Sequence, residues 1–147
     1  MRFIGNIEAK IDQKGRAFLP AVFRRVLQTG GEERLILRKD VFANCLVVMP
    51  ESELNLRLDQ LKERLSIWNA AHQRLFRQYV TDMDWLTLDS NGRFLIPKRY
   101  LQKVGIVQDV VFVGVDSAIE IWALEEKKRA DQQDAAVFAE QLQEEMK

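Results

Sequence analysis

Asp12, Lys14, Gly15 and Arg16 stand within one short stretch that ends at Pro20, and Asp89, Gly92, Arg93 and Pro97 repeat the pattern 77 positions later. An Asp-x-x-Gly-Arg stretch has the chemistry of a tight turn. Glycine permits positive φ, and an aspartate carboxylate can accept backbone N–H bonds from residues just ahead of it. Such a turn projects a basic side chain from the tip of a rigid hairpin. Asp12 can hold the Arg16 guanidinium by a charge-assisted contact and so fix its direction. The planar fork of arginine suits phosphates and guanine edges, and a β-ribbon carrying arginines fits the major groove of B-DNA. Lys10, Lys14, Arg24 and Arg25 add positive charge around the first copy. The same turn can also serve as a plain hairpin closure in which the Asp–Arg pair ties the loop. The duplication, with Pro and Gly in matched places, and the basic cluster around the first copy favour the nucleic-acid reading.

The elements that must position these turns follow one grammar in both copies. Ile7, Ala9 and Ile11 alternate before the first turn, and Trp85, Leu86 and Leu88 precede the second less regularly, which are strand signals. Short apolar strands, Ala17–Leu19 and Phe94–Ile96, come next. A proline then opens a short helix, where its missing N–H costs nothing, and Gly30 or Gly105 is expected to end it in a left-handed conformation. Further strands are expected at Arg34–Leu37, Cys45–Met49, Val110–Val115 and Ile119–Trp122, with a tight turn at Asp116-Ser117. Leu54, Leu58, Leu61, Leu65, Trp68, Leu75 and Tyr79 space themselves as one helical stripe after Pro50, with a break near Ser66–Asn69. A last helix is expected from Leu124 onward, with Val137, Phe138, Leu142 and Met146 as its apolar side. The resulting division is a first half at 5–50, a helical connector at 51–80, a second half at 81–124 and a C-terminal helix at 125–147.

Composition narrows the function class. The chain has 147 residues, 47% hydrophobic and 30% charged, which are globular proportions. Formal net charge is zero, so overall charge gives DNA binding no support, but its distribution does. Residues 1–25 hold six basic groups against Glu8 and Asp12, whereas residues 125–147 hold four basic and seven acidic groups. Cys45, in an apolar run, reads as a small buried hydrophobe, and a lone cysteine permits no intrachain disulfide. His72 is the one histidine and lies in the helical stripe, so it reads as a packed residue and not a catalytic base. Asp82 and Asp84 read as turn or strand-edge solvation. There is no His/Cys metal spacing and no phosphate-cradling glycine loop. No catalytic residue, metal, cofactor, small-molecule substrate or membrane association is therefore expected, and the location expected is cytoplasmic.

Phe3-Ile4-Gly5, the Asp12–Pro20 stretch, Leu95-Ile96-Pro97 and Glu120-Ile121-Trp122 together resemble the MraZ family of the SpoVT–AbrB swapped-hairpin superfamily, over nearly the whole chain to about Glu125. The resemblance implies an α+β fold in which two pseudo-symmetric swapped-hairpin halves form one barrel-like core, with helices after each half. It also implies ring-shaped homo-oligomers. The implied activity is that of a nucleoid-associated, sequence-specific transcriptional regulator. It would bind short repeated elements upstream of the division and cell-wall gene cluster, usually to repress it. The DNA-contacting positions it implies are Arg16, Arg24 and Arg25, with Lys10 and Lys14 at neighbouring basic positions. The matched positions in the second copy are Arg93, Leu101, Gln102 and Asn91; Arg93 is the one expected to contact DNA, so the first half is expected to be the main reader and the second chiefly architectural. The tryptophan often found after the strand-ending proline is absent near Pro50. The alternative is an antitoxin-like interaction module that uses the same hairpins for protein contacts alone.

Overall fold

A computed structural model describes residues 2–32 and 34–147. The first copy supplies β1 (Phe3–Lys10), β2 (Arg16–Phe18), α1 (Ala21–Thr29), β3 (Leu35–Lys39) and β4 (Leu46–Pro50). The connector forms α2 (Glu51–Arg64) and α3 (Ala70–Thr81). The second copy supplies β5 (Met83–Leu86), β6 (Arg93–Leu95), α4 (Lys98–Lys103), β7 (Asp109–Asp116) and β8 (Ile119–Ala123), and the chain ends in α5 (Leu124–Ala135) and α6 (Phe138–Glu145). The fold is thus α+β. Expected and observed strands agree to within one or two residues at their ends, except that β1 begins at Phe3, four residues before the expected alternation at Ile7.

Six strands form one antiparallel sheet in the order β1-β7-β8-β4-β3-β5, while β2 and β6 pair only with each other. The pairings map onto one another when the two copies are interchanged. The first strand of each copy lies on the third strand of the other, as β1 on β7 and β5 on β3. The hairpins β3–β4 and β7–β8 correspond, and β4–β8 joins the copies at the centre. The expected barrel closure is not present: β1 and β5 end the sheet on opposite edges. The physical reason lies in the turns. They swing the short β2 and β6 out of the sheet, where the two pair as a separate ribbon and do not bridge its edges.

Alternation decides which core each side chain joins. Leu35, Leu37, Leu46 and Val48 face the main core, which also takes Phe3, Leu19, Phe23, Phe94, Ile96, Tyr100 and Phe112. Ile36, Val47 and Met49 face the other side and pack under Leu54 of α2. Buried on both faces, β4 reads in sequence as an unbroken apolar run. Cys45 is fully buried beside Val111 and Trp122, and burial pushes its thiol pKa up.

Two helical expectations change in detail and one holds. The left-handed residue after α1 is Gly31, at φ 68°, because Gly30 still has right-handed backbone; Gly105, at φ 70°, fits as expected. The connector breaks between Arg64 and Ala70, where Asn69 Oδ1 accepts the N–H groups of Ala71 and His72 and His72 Nδ1 accepts that of Ser66. The C-terminal helix is two helices, and every residue from Asp131 on is exposed, so Val137, Phe138, Leu142 and Met146 do not pack on the core.

Gly5 pairs with Gly114 where β1 crosses β7. A Cβ on Gly114 would stand 2.6 Å from backbone atoms of Phe3 and Ile4, which cannot rotate away. Gly114→Ala is therefore expected to cost about 1–3 kcal/mol, read as a lower denaturation midpoint in urea at an unchanged slope.

Candidate nucleic-acid interface

Each Asp-x-x-Gly-Arg turn is closed by one carboxylate. Asp12 Oδ1 accepts the backbone N–H groups of Lys14 and Arg16, each at 2.9 Å, and Oδ2 accepts Arg16 Nε at 2.8 Å. Asp89 repeats this, with Oδ1 accepting from Asn91 N at 2.8 Å and Arg93 N at 2.9 Å, and Oδ2 from Arg93 Nε at 3.0 Å. Both arginines are thereby aimed through Nε, and among the described residues their terminal Nη groups make no hydrogen bond. The backbone bond from Arg16, opposed by desolvation and aided by its side chain, holds the Asp12 carboxyl below its usual pKa. The bond from Arg93 does the same for Asp89. A depressed pKa means the clamps are intact above pH about 4 and release as pH falls through the lower folded value.

The glycines set the distance between the copies. Gly15 has φ 89°, and its carbonyl accepts Ile96 N at 2.8 Å; a Cβ there would stand 2.5 Å from Ile96 O. Gly92 has φ 80°, and its carbonyl accepts Leu19 N at 2.9 Å. Each turn therefore extends the β2–β6 ribbon of which the other copy supplies the second strand.

Three residues per strand give the ribbon two distinct faces. Ala17 and Phe94 are paired and buried. Arg16 pairs with Leu95 and Phe18 with Arg93, and these four point outward. The Arg93 guanidinium lies 5.8 Å from the Phe18 ring centroid. Lys10, Asp12, Arg16, Phe18, Arg93 and Gln108 border one shallow cleft of about 300 Å³. Lys10 pairs with Asp109 at 3.4 Å, an exposed contact that restrains it weakly.

The remaining expected residues separate from this cleft. Lys14 is exposed at the tip of the first turn. Arg25 is exposed on α1, where with Arg2 it borders a different cleft. Arg24 turns the other way. It is half-buried, donates from Nη1 to Asn91 O at 3.3 Å, and lies so close over Gly92 that a Cβ there would stand 2.3 Å from Nη1. Its Nε is buried with no partner among the described residues. The matched Leu101 sits over Gly15 in the same way, 3.5 Å from where a Cβ would be. Arg24 thus tethers α1 to the second turn. Pro20 and Pro97 both precede the first residue of their helices, α1 and α4.

Asp82 and Asp84 also have structural partners. Asp84 Oδ2 accepts Tyr100 Oη at 2.7 Å and pairs with Arg99, and Asp82 pairs with Lys103 at 3.1 Å. These contacts fasten α4 to the segment that leads into the second turn. Sequence reasoning missed the outward Phe18 and Leu95 and the reach of Arg24. The signal for the first two was present, because each lies two residues along its strand from an outward arginine.

Because Leu101 shows that an apolar side chain can fill the matched place, Arg24→Leu is expected to stay within about 0.5 kcal/mol of the parent. Arg24→Ala, which leaves the space over Gly92 empty, is expected to lose about 1 kcal/mol or more through lost packing, read by chemical denaturation.

The family model described as "MraZ protein, putative antitoxin-like" matches residues 81–147. The protein named Transcriptional regulator MraZ from Bacteroides fragilis is 56% identical over 147 residues, covering 100% of this chain and 92% of that relative. Its namesake from Bacteroides thetaiotaomicron is 56% identical over 132 residues, covering 90% and 83%. A more distant one from Clostridium tetani is 33% identical over 144 residues, covering 98% and 96%. By full-length similarity at this level, the chain belongs to the MraZ family.

Proposed function

We propose that the chain is a sequence-specific transcriptional regulator that binds double-stranded DNA through the outer face of its β2–β6 ribbon. The observation that carries this reading is the pair of carboxylate-clamped arginines, Arg16 and Arg93, set on one exposed ribbon with their Nη groups unengaged among the described residues. A guanidinium already aimed by its own turn loses less freedom on binding than a free one. Lys10 and Lys14 lie beside Arg16 and add backbone-phosphate contacts, while Arg25 extends the positive charge along α1. The name Transcriptional regulator carried by relatives that match nearly the whole chain agrees with this reading.

Its finer parts rest on the family resemblance. The chain acts as a repressor of the division and cell-wall gene cluster through short repeated promoter elements, in the cytoplasm and on the nucleoid. Residues 5–50 and 81–124 are swapped-hairpin halves, a reading that the exchange of first strands between copies supports. Ring-shaped self-association would set several ribbons on successive repeats and raise avidity by about 10²–10⁴. The connector offers surface for it, since Leu56, Ile67, Trp68 and Leu75 are exposed on α2, α3 and the turn between them. The antitoxin-like wording of the matching family model favours a second reading, protein contact through the same hairpins without DNA.

The two readings separate in a gel-shift series on promoter duplex at rising salt. If about four phosphates are met, the logarithmic salt slope is expected near −3.6, and Arg16→Ala should lower its magnitude by about 0.9. Arg93→Ala is expected to cost less than Arg16→Ala, because the first copy carries more of the surrounding charge. Equal losses would refute that asymmetry, and salt-insensitive binding would favour the protein-contact reading.

A further inference from the structure

We infer that Phe18 and Leu95 are base-contacting side chains that recognise thymine methyl groups next to the edges met by Arg16 and Arg93. This inference rests on the DNA-binding reading above. Phe18 is 59% exposed and Leu95 56% exposed, although the ribbon on which they sit is otherwise packed against the core through Ala17 and Phe94. Each stands directly across from a clamped arginine, Leu95 from Arg16 and Phe18 from Arg93. Each also lies two residues from the arginine on its own strand, a distance of about 7 Å. The outer face is therefore a checkerboard of two guanidiniums and two apolar groups.

A duplex matches that pattern. Two residues of strand span about two base-pair steps of 3.4 Å, and a two-stranded ribbon fits the major groove. In that groove the C5 methyl of thymine is the apolar feature among hydrogen-bonding edges. Side chains of Phe18 and Leu95 can meet it while Arg16 and Arg93 meet guanine or phosphate. Charge complementarity selects DNA over a second copy of the chain as the occupant. Two ribbons laid face to face would crowd four guanidiniums into one small interface, a concentration of like charge that specific interfaces avoid.

The test uses the full-length chain and a duplex selected by it from a random pool, synthesised once with thymine and once with uracil, which keeps pairing and removes the methyl. The parent is expected to bind the uracil duplex about fourfold more weakly for each contacted methyl, the value of one buried carbon group. Phe18→Ala and Leu95→Ala are expected to weaken binding to the thymine duplex by a similar factor and to lose part of the thymine–uracil difference, with assembly mass in light scattering unchanged. Equal binding of both duplexes by the parent overturns the inference. So does a Phe18→Ala or Leu95→Ala variant that discriminates as the parent does, or that changes mass. Absence of salt-sensitive binding to any duplex would instead remove the DNA-binding reading itself. Arg16→Ala is the internal control, expected to lose affinity for both duplexes alike.

Discussion

One carboxylate holding two backbone N–H groups and one guanidinium is the interaction on which this molecule turns. Asp12 and Asp89 each spend one oxygen on the turn and the other on its arginine. The two tasks share one carboxylate: the bonds to Oδ1 reverse the chain and the bond to Oδ2 aims the basic side chain. Both pairs are exposed, so their direct contribution to stability is small. Their effect is geometric. They make the strand leave the sheet at a fixed point, and so oblige β2 and β6 to find each other.

From that obligation the rest of the architecture follows. A ribbon built from one strand of each copy ties the two copies together on one side, and the β4–β8 pair ties them in the middle of the sheet. Each turn needs a neighbour against its glycine, and the copies have solved this differently. Leu101 covers the first turn and Arg24 the second. The duplication is thus exact in topology and unequal in chemistry, and that inequality removes one arginine from the exposed set while adding a charged group beneath the second turn.

Much of this was legible in the residues. The repeated turns, the short strands after them, the proline-opened helices and the break in the connector all rest on local physics, namely φ preference, capping and periodicity. The Asp12–Arg16 contact was legible for the same reason. What was not legible depends on distant pairs. Nothing local to Arg24 tells that it faces Gly92, 68 positions away along the chain. Nothing local to β1 tells that it pairs with β7 and stops there, leaving the sheet open. The placement of the left-handed residue at Gly31 instead of Gly30 is a choice between adjacent glycines that propensity cannot make. Phe18 was legible by parity alone, but a three-residue strand is too short for alternation to stand out.

The most direct measurement of the central claim is a structure of the full-length chain bound to a promoter duplex. The expected result has the outer face of the β2–β6 ribbon against the duplex, with Arg16 and Arg93 Nη groups within hydrogen-bond distance of it and both Nε groups still on Asp12 and Asp89. A duplex lying on α1 or on the α2–α3 connector, or arginines that reach it only after leaving their aspartates, would contradict the account.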